Sequence, residues 1–182
     1  DYKPTEEEWL NIVVSFKNKL EEVEIEKSRL TGFMKDAESI EKLRIQLEDA
    51  ESHLSHVDKE LEGLLEEKNL LSTEIKRGKQ QKEDAMTELK LLQSTRPGFF
   101  IYWFNKTVRT QYKKALTATL TKYNQLSEEI TKQKTSLQAL DLRVEKQRKI
   151  QEQSQKDYDR INSDYARLSE LTEAARQELK GA

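Results

Sequence analysis

The residues with the clearest capacity for binding chemistry lie near the middle of the chain, in the stretch RPGFFIYWFNK at 96–106. Five aromatic rings stand there, and a run of cationic side chains follows them. Rings stack on the bases of single-stranded nucleic acid while cations pair with its phosphates, and the same mixture suits the interface of an anionic membrane. The predicted contact surface has ten residues: Arg96, Phe99, Phe100, Tyr102, Trp103, Phe104, Lys106, Arg109, Lys113 and Lys114.

A purely structural interpretation of the same rings competes with this prediction. The aromatic side chains could wrap the helix turn as a small hydrophobic cap. Six consecutive bulky residues, FFIYWF at 99–104, cannot all face inward. We therefore expect some exposed apolar surface, and exposed apolar patches tend to mark contacts with other molecules. The number of rings that face outward stays open at this point.

The net charge of −2 hides an uneven distribution along the chain. Residues 76–134 contain 13 Lys and Arg against 5 Asp and Glu, a balance of +8, and the rest of the chain has a balance of −10. Residues 89–127 contain seven basic side chains and no acidic one. The field of this cationic part would attract phosphate, anionic lipid or an acidic protein surface.

The sequence contains no catalytic motif that we recognise. It lacks GxxxxGK[ST], HExxH, GxSxG and GxGxxG, and carboxylates on a coiled coil have no concave pocket that could tune them for catalysis. His53 and His56 have the spacing at which two imidazoles can share a metal, but nothing completes a ligand set, so a solvated face is the favoured interpretation. We predict a segment that is not an enzyme and that holds no metal or cofactor.

Two long helices must position the predicted contact surface. Charged residues make up 36% of the chain and hydrophobic residues 35%, which is typical of long helices rather than a compact core. Apolar residues are spaced by three and four in two registers of the first half, at 9–37 and 40–92, and the second half repeats the pattern at 112–179. A sustained heptad pattern of this kind predicts a coiled coil.

Three local signals add detail to the two helices. Thr5 and Glu8 have the spacing of a capping box that begins the first helix. Polar residues at 147–154 replace apolar ones in the heptad seam, and we interpret them as a soft spot that can also fix the register. Gly78, within KRGKQQK, is either part of a phosphate contact or a flexible glycine on an exposed helical face.

One break separates the two helical patterns. Pro97 lacks an amide hydrogen and clashes with a preceding helical turn, and Gly98 adds backbone freedom. The predicted fold is all-α, with two long helices forming an antiparallel coiled-coil hairpin that has an aromatic, basic tip. Arm one covers about 5–95, the tip about 96–106 and arm two about 107–180. The less favoured alternative is one continuous helix that pairs with another chain.

The cellular context follows from the same pattern. A hairpin brings both chain ends together, as insertion into another protein requires, so we expect residues 1–182 to be a single hairpin taken from a larger protein. The chain has no cysteine, which excludes disulfides and favours the cytoplasm. No apolar run approaches the ~18 residues of a membrane-spanning helix.

The central stretch RPGFFIYWFNKTVRTQYKKAL, between a heptad arm and a returning arm, resembles the long coiled-coil insert of large bacterial superfamily 1 (AAA-domain) DNA helicases. In that family an RPG with aromatics, a basic stretch and an A-L helix start mark the turn. The resemblance implies an ATP-dependent DNA or RNA helicase as the parent protein, with its ATP-binding domains at the base of the hairpin. The FFIYWF run is more aromatic than the family's pattern, which leaves room for a different partner at the tip.

Nucleic acid is the leading partner in these predictions. The chain is expected to act as a non-catalytic arm of a helicase-like ATPase, with a cationic aromatic tip that contacts DNA or RNA. The first alternative is an arm for protein interaction or self-association that uses the tip as a hydrophobic plug. The second alternative is a tether to an anionic membrane, which we rank below the other two.

Overall fold

The structure is a computed structural model, and it describes residues 3–181 apart from the side chain of Leu179. Three helices account for nearly all of these residues: α1 at Glu6–Ser94, α2 at Phe99–Phe104 and α3 at Lys106–Gly181. Residues 3–181 contain no β-strand. The prediction of an all-α fold with two long helices is confirmed, while the last predicted seam position, Leu179, lies outside the described side chains.

A capping box begins α1, as the spacing of Thr5 and Glu8 predicted. The backbone N–H of Thr5 donates to Oε2 of Glu8 at 2.8 Å, and the backbone N–H of Glu8 donates to Oγ1 of Thr5 at 3.4 Å. These donors have no partner within the helix itself, so the reciprocal bonds stabilise its first turn. The carboxylates of Glu6 and Glu7 lie in the same turn, where they complement the positive end of the helix dipole.

Contacts between α1 and α3 show that the two helices are antiparallel. Nζ of Lys68 lies 2.6 Å from Oδ1 of Asp141. Further along α1, Nζ of Lys82 lies 5.3 Å from the ring centroid of Tyr123. The partner on α3 therefore moves back along the chain as α1 advances. This is the predicted hairpin, with α2 between its two arms.

The apolar core lies in the seam between α1 and α3. Every buried side chain in it occupies a position that the heptad spacing had assigned to the seam. A coiled coil buries one stripe of each helix and leaves the remaining faces in water, which explains how a chain with so little apolar content still has a core. The buried apolar side chains are Val57, Leu61, Ile75, Ala85, Ile130, Leu140 and Val144.

The internal contacts of the chain divide it into two units, residues 56–152 and residues 1–55 with 153–182. All of the buried apolar side chains named above belong to the first unit. In the second unit, seam side chains such as Leu47 and Leu168 are only half-buried. The packing of α1 against α3 is therefore tighter within residues 56–152.

Arg44 forms an ion-pair cluster on the surface of the second unit. Its NH2 group lies 2.7 Å from Oε1 of Glu41 and its Nε lies 3.0 Å from Oε2, while its NH1 group pairs with Glu48. The hydrogen bonds from Arg44 hold the pKa of the Glu41 carboxyl below its usual value. All three side chains are exposed, and exposed ion pairs of this kind contribute little to stability.

The polar stretch of the seam forms hydrogen bonds between the two helices. Nε2 of Gln147 donates to the carbonyl oxygen of Val57 at 3.4 Å and to Oε2 of Glu60 at 3.0 Å. Nε2 of Gln151 donates to Oδ1 of Asp58 at 2.6 Å. A slide of one helix along the other would break these pairs, so the polar layer favours one register. At the positions interpreted from the sequence as a soft spot, Gln147 and Gln151 form specific hydrogen bonds between the two helices.

Gly78 lies against α3, half-buried. A Cβ atom at this position would lie 3.2 Å from Cγ1 of Ile130 and 3.8 Å from Oε1 of Gln133. The interpretation of Gly78 as a flexible glycine on an exposed face is therefore wrong. Its missing side chain lets α1 approach α3 closely, which is a packing role that heptad spacing does not reveal.

Replacing two helical glycines with alanine would separate helix propensity from packing. A Cβ at Gly63 would meet nothing within 4 Å, so Gly63→Ala should raise the free energy of unfolding by about 1 kcal/mol, because alanine is favoured in helix interiors. Gly78→Ala should gain less or lose stability, because Ile130 must move to admit the methyl group. Urea unfolding followed by circular dichroism measures both variants. Equal gains would contradict the packing role of Gly78.

Candidate binding site at the helix turn

The end of α1 is held by three hydrogen bonds to one carbonyl oxygen. The backbone N–H of Thr95, its hydroxyl and the hydroxyl of Ser94 donate to the oxygen of Leu91 at 3.0, 2.9 and 2.8 Å. Pro97 has no N–H with which to continue the helix. Gly98 then adopts an extended conformation, with φ −58° and ψ 154°. The chain leaves α1 at the TRPG break that the sequence predicted.

Asn105 joins α2 to α3. Its backbone N–H donates to the oxygen of Ile101 at 2.9 Å, which closes the last turn of α2. Its Oδ1 accepts from the N–H of Val108 at 3.2 Å, and its carbonyl oxygen accepts from the N–H of Arg109 at 3.1 Å. Asn105 is thus the N-cap of α3. Sequence reasoning did not single it out, although an asparagine before a helical run is a known N-cap signal.

Five of the six side chains of α2 face outward. Only Tyr102 is half-buried. The hydrophobic-cap interpretation therefore fits one ring, and the others form an exposed apolar patch, which we call the tip patch. It consists of Phe99 (69% exposed), Phe100 (73%), Ile101 (56%), Trp103 (61%) and Phe104 (83%).

The rings of the tip patch form two pairs, each joining residues four apart. The ring centroids of Phe99 and Trp103 lie 6.0 Å apart with the planes tilted by 50°. Those of Phe100 and Phe104 lie 6.4 Å apart with the planes nearly parallel, at 11°. Phe99 also meets Phe100 edge to face at 5.7 Å. These contacts favour particular ring orientations, so the patch presents ordered aromatic faces to its surroundings.

Tyr102 anchors α2 to the segment that precedes it and to α3. The guanidinium carbon of Arg96 lies 5.1 Å from its ring centroid, a distance at which a cation is attracted to a ring face. The ring of Tyr112, on α3, meets it edge to face at 6.3 Å. Of the ten predicted contact residues, Arg96 and Tyr102 therefore also hold the turn in place. The other four rings are exposed.

The predicted cations follow the turn along the first turns of α3. Lys106, Lys113 and Lys114 are exposed, and Arg109 is half-buried. Arg109, Lys113 and Lys114 line a shallow groove together with the hydroxyl-bearing residues Thr110 and Thr117. Within residues 3–181, no carboxylate forms an ion pair with any of these cations. The hydroxyl of Thr110 donates to the carbonyl oxygen of Lys106 at 2.8 Å. The groove therefore offers an anion positive charge and the hydroxyl of Thr117.

The two histidines lie on a solvated face, as the sequence suggested. His53 and His56 are both exposed, and Nε2 of His56 lies 3.2 Å from Oε1 of Glu60. The described part of the chain contains no group of three or more His, Asp or Glu side chains that could hold a metal ion. It also contains no helix with the length and apolar content needed to span a bilayer.

Comparisons with known proteins give no family for this chain. No protein-family model, no curated protein and no solved structure matches it. The resemblance of the turn to a helicase insert therefore stays a prediction.

Proposed function

We propose that this hairpin is a non-catalytic arm whose tip contacts single-stranded nucleic acid. One observation carries the proposal: exposed aromatic rings at the turn lie next in the chain to cations that have no carboxylate partner. Rings that stack on bases and cations that pair with phosphates are the two components of sequence-tolerant single-strand binding.

The rings supply the contact with bases. Phe99, Phe100, Trp103 and Phe104 are each more than half exposed, so base stacking needs no unfolding of the turn. Alanine substitutions in other single-strand binders show that one stacked base contributes about 1–3 kcal/mol. Because every base has an aromatic face, this contact would be insensitive to nucleotide sequence.

The cations supply the contact with phosphates. Arg109, Lys113 and Lys114 share one groove, and the hydroxyl of Thr117 adds a hydrogen-bond donor to it. The hydroxyl of Thr110 donates instead to the carbonyl oxygen of Lys106. Because residues 89–127 contain no acidic side chain, nothing nearby repels a polyanion or competes for these cations. The surrounding balance of +8 over residues 76–134 would also speed the approach of nucleic acid at low salt.

The resemblance to the helicase insert supports a larger role for the arm. In a helicase-like ATPase, a hairpin of this kind would carry a contact surface away from the motor domains or sense their movement. The function of the arm would then be positioning, since none of its residues completes a catalytic motif. The parent ATPase belongs to the proposal, whereas nucleic-acid contact can be tested on this chain alone.

Reversing three charges in the groove tests the nucleic-acid contact. The variant Arg109→Glu, Lys113→Glu, Lys114→Glu should abolish binding to a single-stranded oligonucleotide of mixed sequence at low salt. For the unchanged chain, the logarithm of the binding constant should fall as the logarithm of salt rises. The milder variant Arg109→Ala, Lys113→Ala, Lys114→Ala, which removes three phosphate contacts without adding negative charge, should reduce that slope by about 2. Fluorescence anisotropy of a labelled oligonucleotide measures both effects.

A matched control makes the result specific to the groove. Lys146, Arg148 and Lys149 are exposed on α3 outside the tip, and changing them to Glu alters net charge by the same amount. This second variant should retain most of the binding. Equal loss in both variants would show a response to net charge alone, and no binding by the unchanged chain at low salt would end the proposal.

The side chain of Ile101 favours a second candidate, contact with an anionic membrane. Ile101 is 56% exposed and has no ring to stack on a base, yet it lies within the tip patch. Apolar side chains next to cations can insert between lipid headgroups. Trp103 reports on this alternative, because the chain has only two tryptophans and Trp9→Phe removes the other one.

The emission of Trp103 in the Trp9→Phe background separates the candidates. Stacking on single-stranded DNA should quench it, and vesicles with phosphatidylserine should leave it unchanged. A blue shift with those vesicles, absent with phosphatidylcholine vesicles and with DNA, would instead support the membrane. A blue shift that grows with protein concentration alone would indicate that the tip buries itself in a second copy.

A further inference from the structure

A second apolar surface lies on α1, far in sequence from the turn. Its residues have the same spacing of three and four as the buried seam, but each is more than half exposed. Lys27 occupies one position of this exposed surface, and its side chain is also exposed. We call this set the N-terminal seam: Trp9 (56% exposed), Val13 (59%), Phe16 (70%), Leu20 (62%), Val23 (63%), Leu30 (53%) and Met34 (67%).

The N-terminal seam lies on α1, the same helix that forms the interface with α3. Further along α1 the same heptad spacing buries Val57, Leu61 and Ile75 against a partner helix. An exposed apolar stripe on a helix packs stably only against another apolar surface. Leu10, Ile12, Val14 and Ile25, outside the stripe, are exposed as well. The N-terminal seam therefore has the apolar spacing of a coiled-coil interface, and within residues 3–181 it is exposed.

The charges beside the seam identify the second helix. Lys17 and Lys19 flank Leu20 at the two edge positions of the stripe, and Glu24 and Glu26 occupy the same two edges one heptad later. Residues 3–181 show no ion pair for any of these four side chains. The sign of the edge charge reverses about a point between Leu20 and Val23. A helix with that pattern is complementary to an antiparallel copy of itself.

We propose that the N-terminal seam binds the same seam of a second copy of this chain in an antiparallel coiled coil. Lys17 would pair with Glu24 of the second copy, and Lys19 with Glu26, which makes four ion pairs by symmetry. These pairs set orientation, while apolar burial supplies the attraction. The layers are Trp9 on Met34, Val13 on Leu30, Phe16 on Lys27 and Leu20 on Val23.

The same residues disfavour a parallel pair in register. Lys27 would then face Lys27 of the second copy inside the seam, where two like charges repel. Only Lys19 and Glu24 would pair across the edges, giving two ion pairs in place of four. In the antiparallel arrangement, Lys27 instead meets the ring of Phe16, over which a cation is tolerated. Charge therefore selects the antiparallel copy.

Single cysteines test both contact and orientation, because the 182-residue chain has no cysteine of its own. Val13→Cys and Leu30→Cys chains should cross-link with each other when mixed under mild oxidation. Neither should cross-link when alone, because the antiparallel arrangement places like positions far apart. Cross-linking of each variant with itself, without any cross-link between the two variants when they are mixed, would show a parallel dimer and overturn the proposal.

Charge reversal with rescue tests the edge pairs. Lys17→Glu with Lys19→Glu, and separately Glu24→Lys with Glu26→Lys, should each weaken self-association at least tenfold in sedimentation equilibrium. Mixing the two variants should restore it, because each then meets opposite charges. The seam is already exposed in the single chain, so these changes should leave its helix content unchanged by circular dichroism.

Self-association through the N-terminal seam can be distinguished from association through the tip patch. Trp103→Ala with Phe104→Ala should leave self-association through the N-terminal seam unchanged. Association that disappears in this tip variant and survives Leu20→Glu with Val23→Glu would overturn the proposal. A chain that stays monomeric at every concentration would overturn it too.

Discussion

The antiparallel apolar seam between α1 and α3 is the contact on which the other features depend. Single helices in water gain little stability from backbone hydrogen bonds alone, and most helical stability in proteins comes from packing an apolar face. Within residues 56–152 that face is buried on both helices, for example at Val57 and Val144. Because the seam holds the end of α1 beside the start of α3, it also holds α2, which is too short to be stable alone.

The turn shows how a short hydrophobic helix can stay ordered while most of it is exposed. Tyr102 supplies the inward contact, between the guanidinium of Arg96 and the ring of Tyr112. Asn105 closes α2 and caps α3. The other five side chains of α2 are exposed. Exposing so much apolar surface is unfavourable in water, and exposed apolar patches tend to mark contacts with other molecules.

Heptad spacing predicted both arms, because burial of one helical stripe leaves a periodic record in the sequence. Every buried apolar side chain, from Val57 to Val144, was assigned to the seam in this way. Pro97 predicted the break for an equally local reason. Other features depend on contacts between residues that are distant in the sequence, and periodic spacing does not predict them. The approach of Gly78 to Ile130 and the bond from Gln147 to the carbonyl of Val57 are two of them.

The outward direction of the tip rings belongs to this second group, since FFIYWF has no apolar period from which a buried face could be predicted. Charge, by contrast, can be read from sequence, and it separates the two exposed apolar surfaces. Around the tip patch, every charged side chain in residues 89–127 is positive, which is the pattern that favours the proposed contact with a polyanion. Beside the N-terminal seam, two lysines are balanced by two glutamates one heptad away, which suits a partner with the same sequence. The partners proposed for the two apolar surfaces thus differ because the charges that flank the surfaces differ.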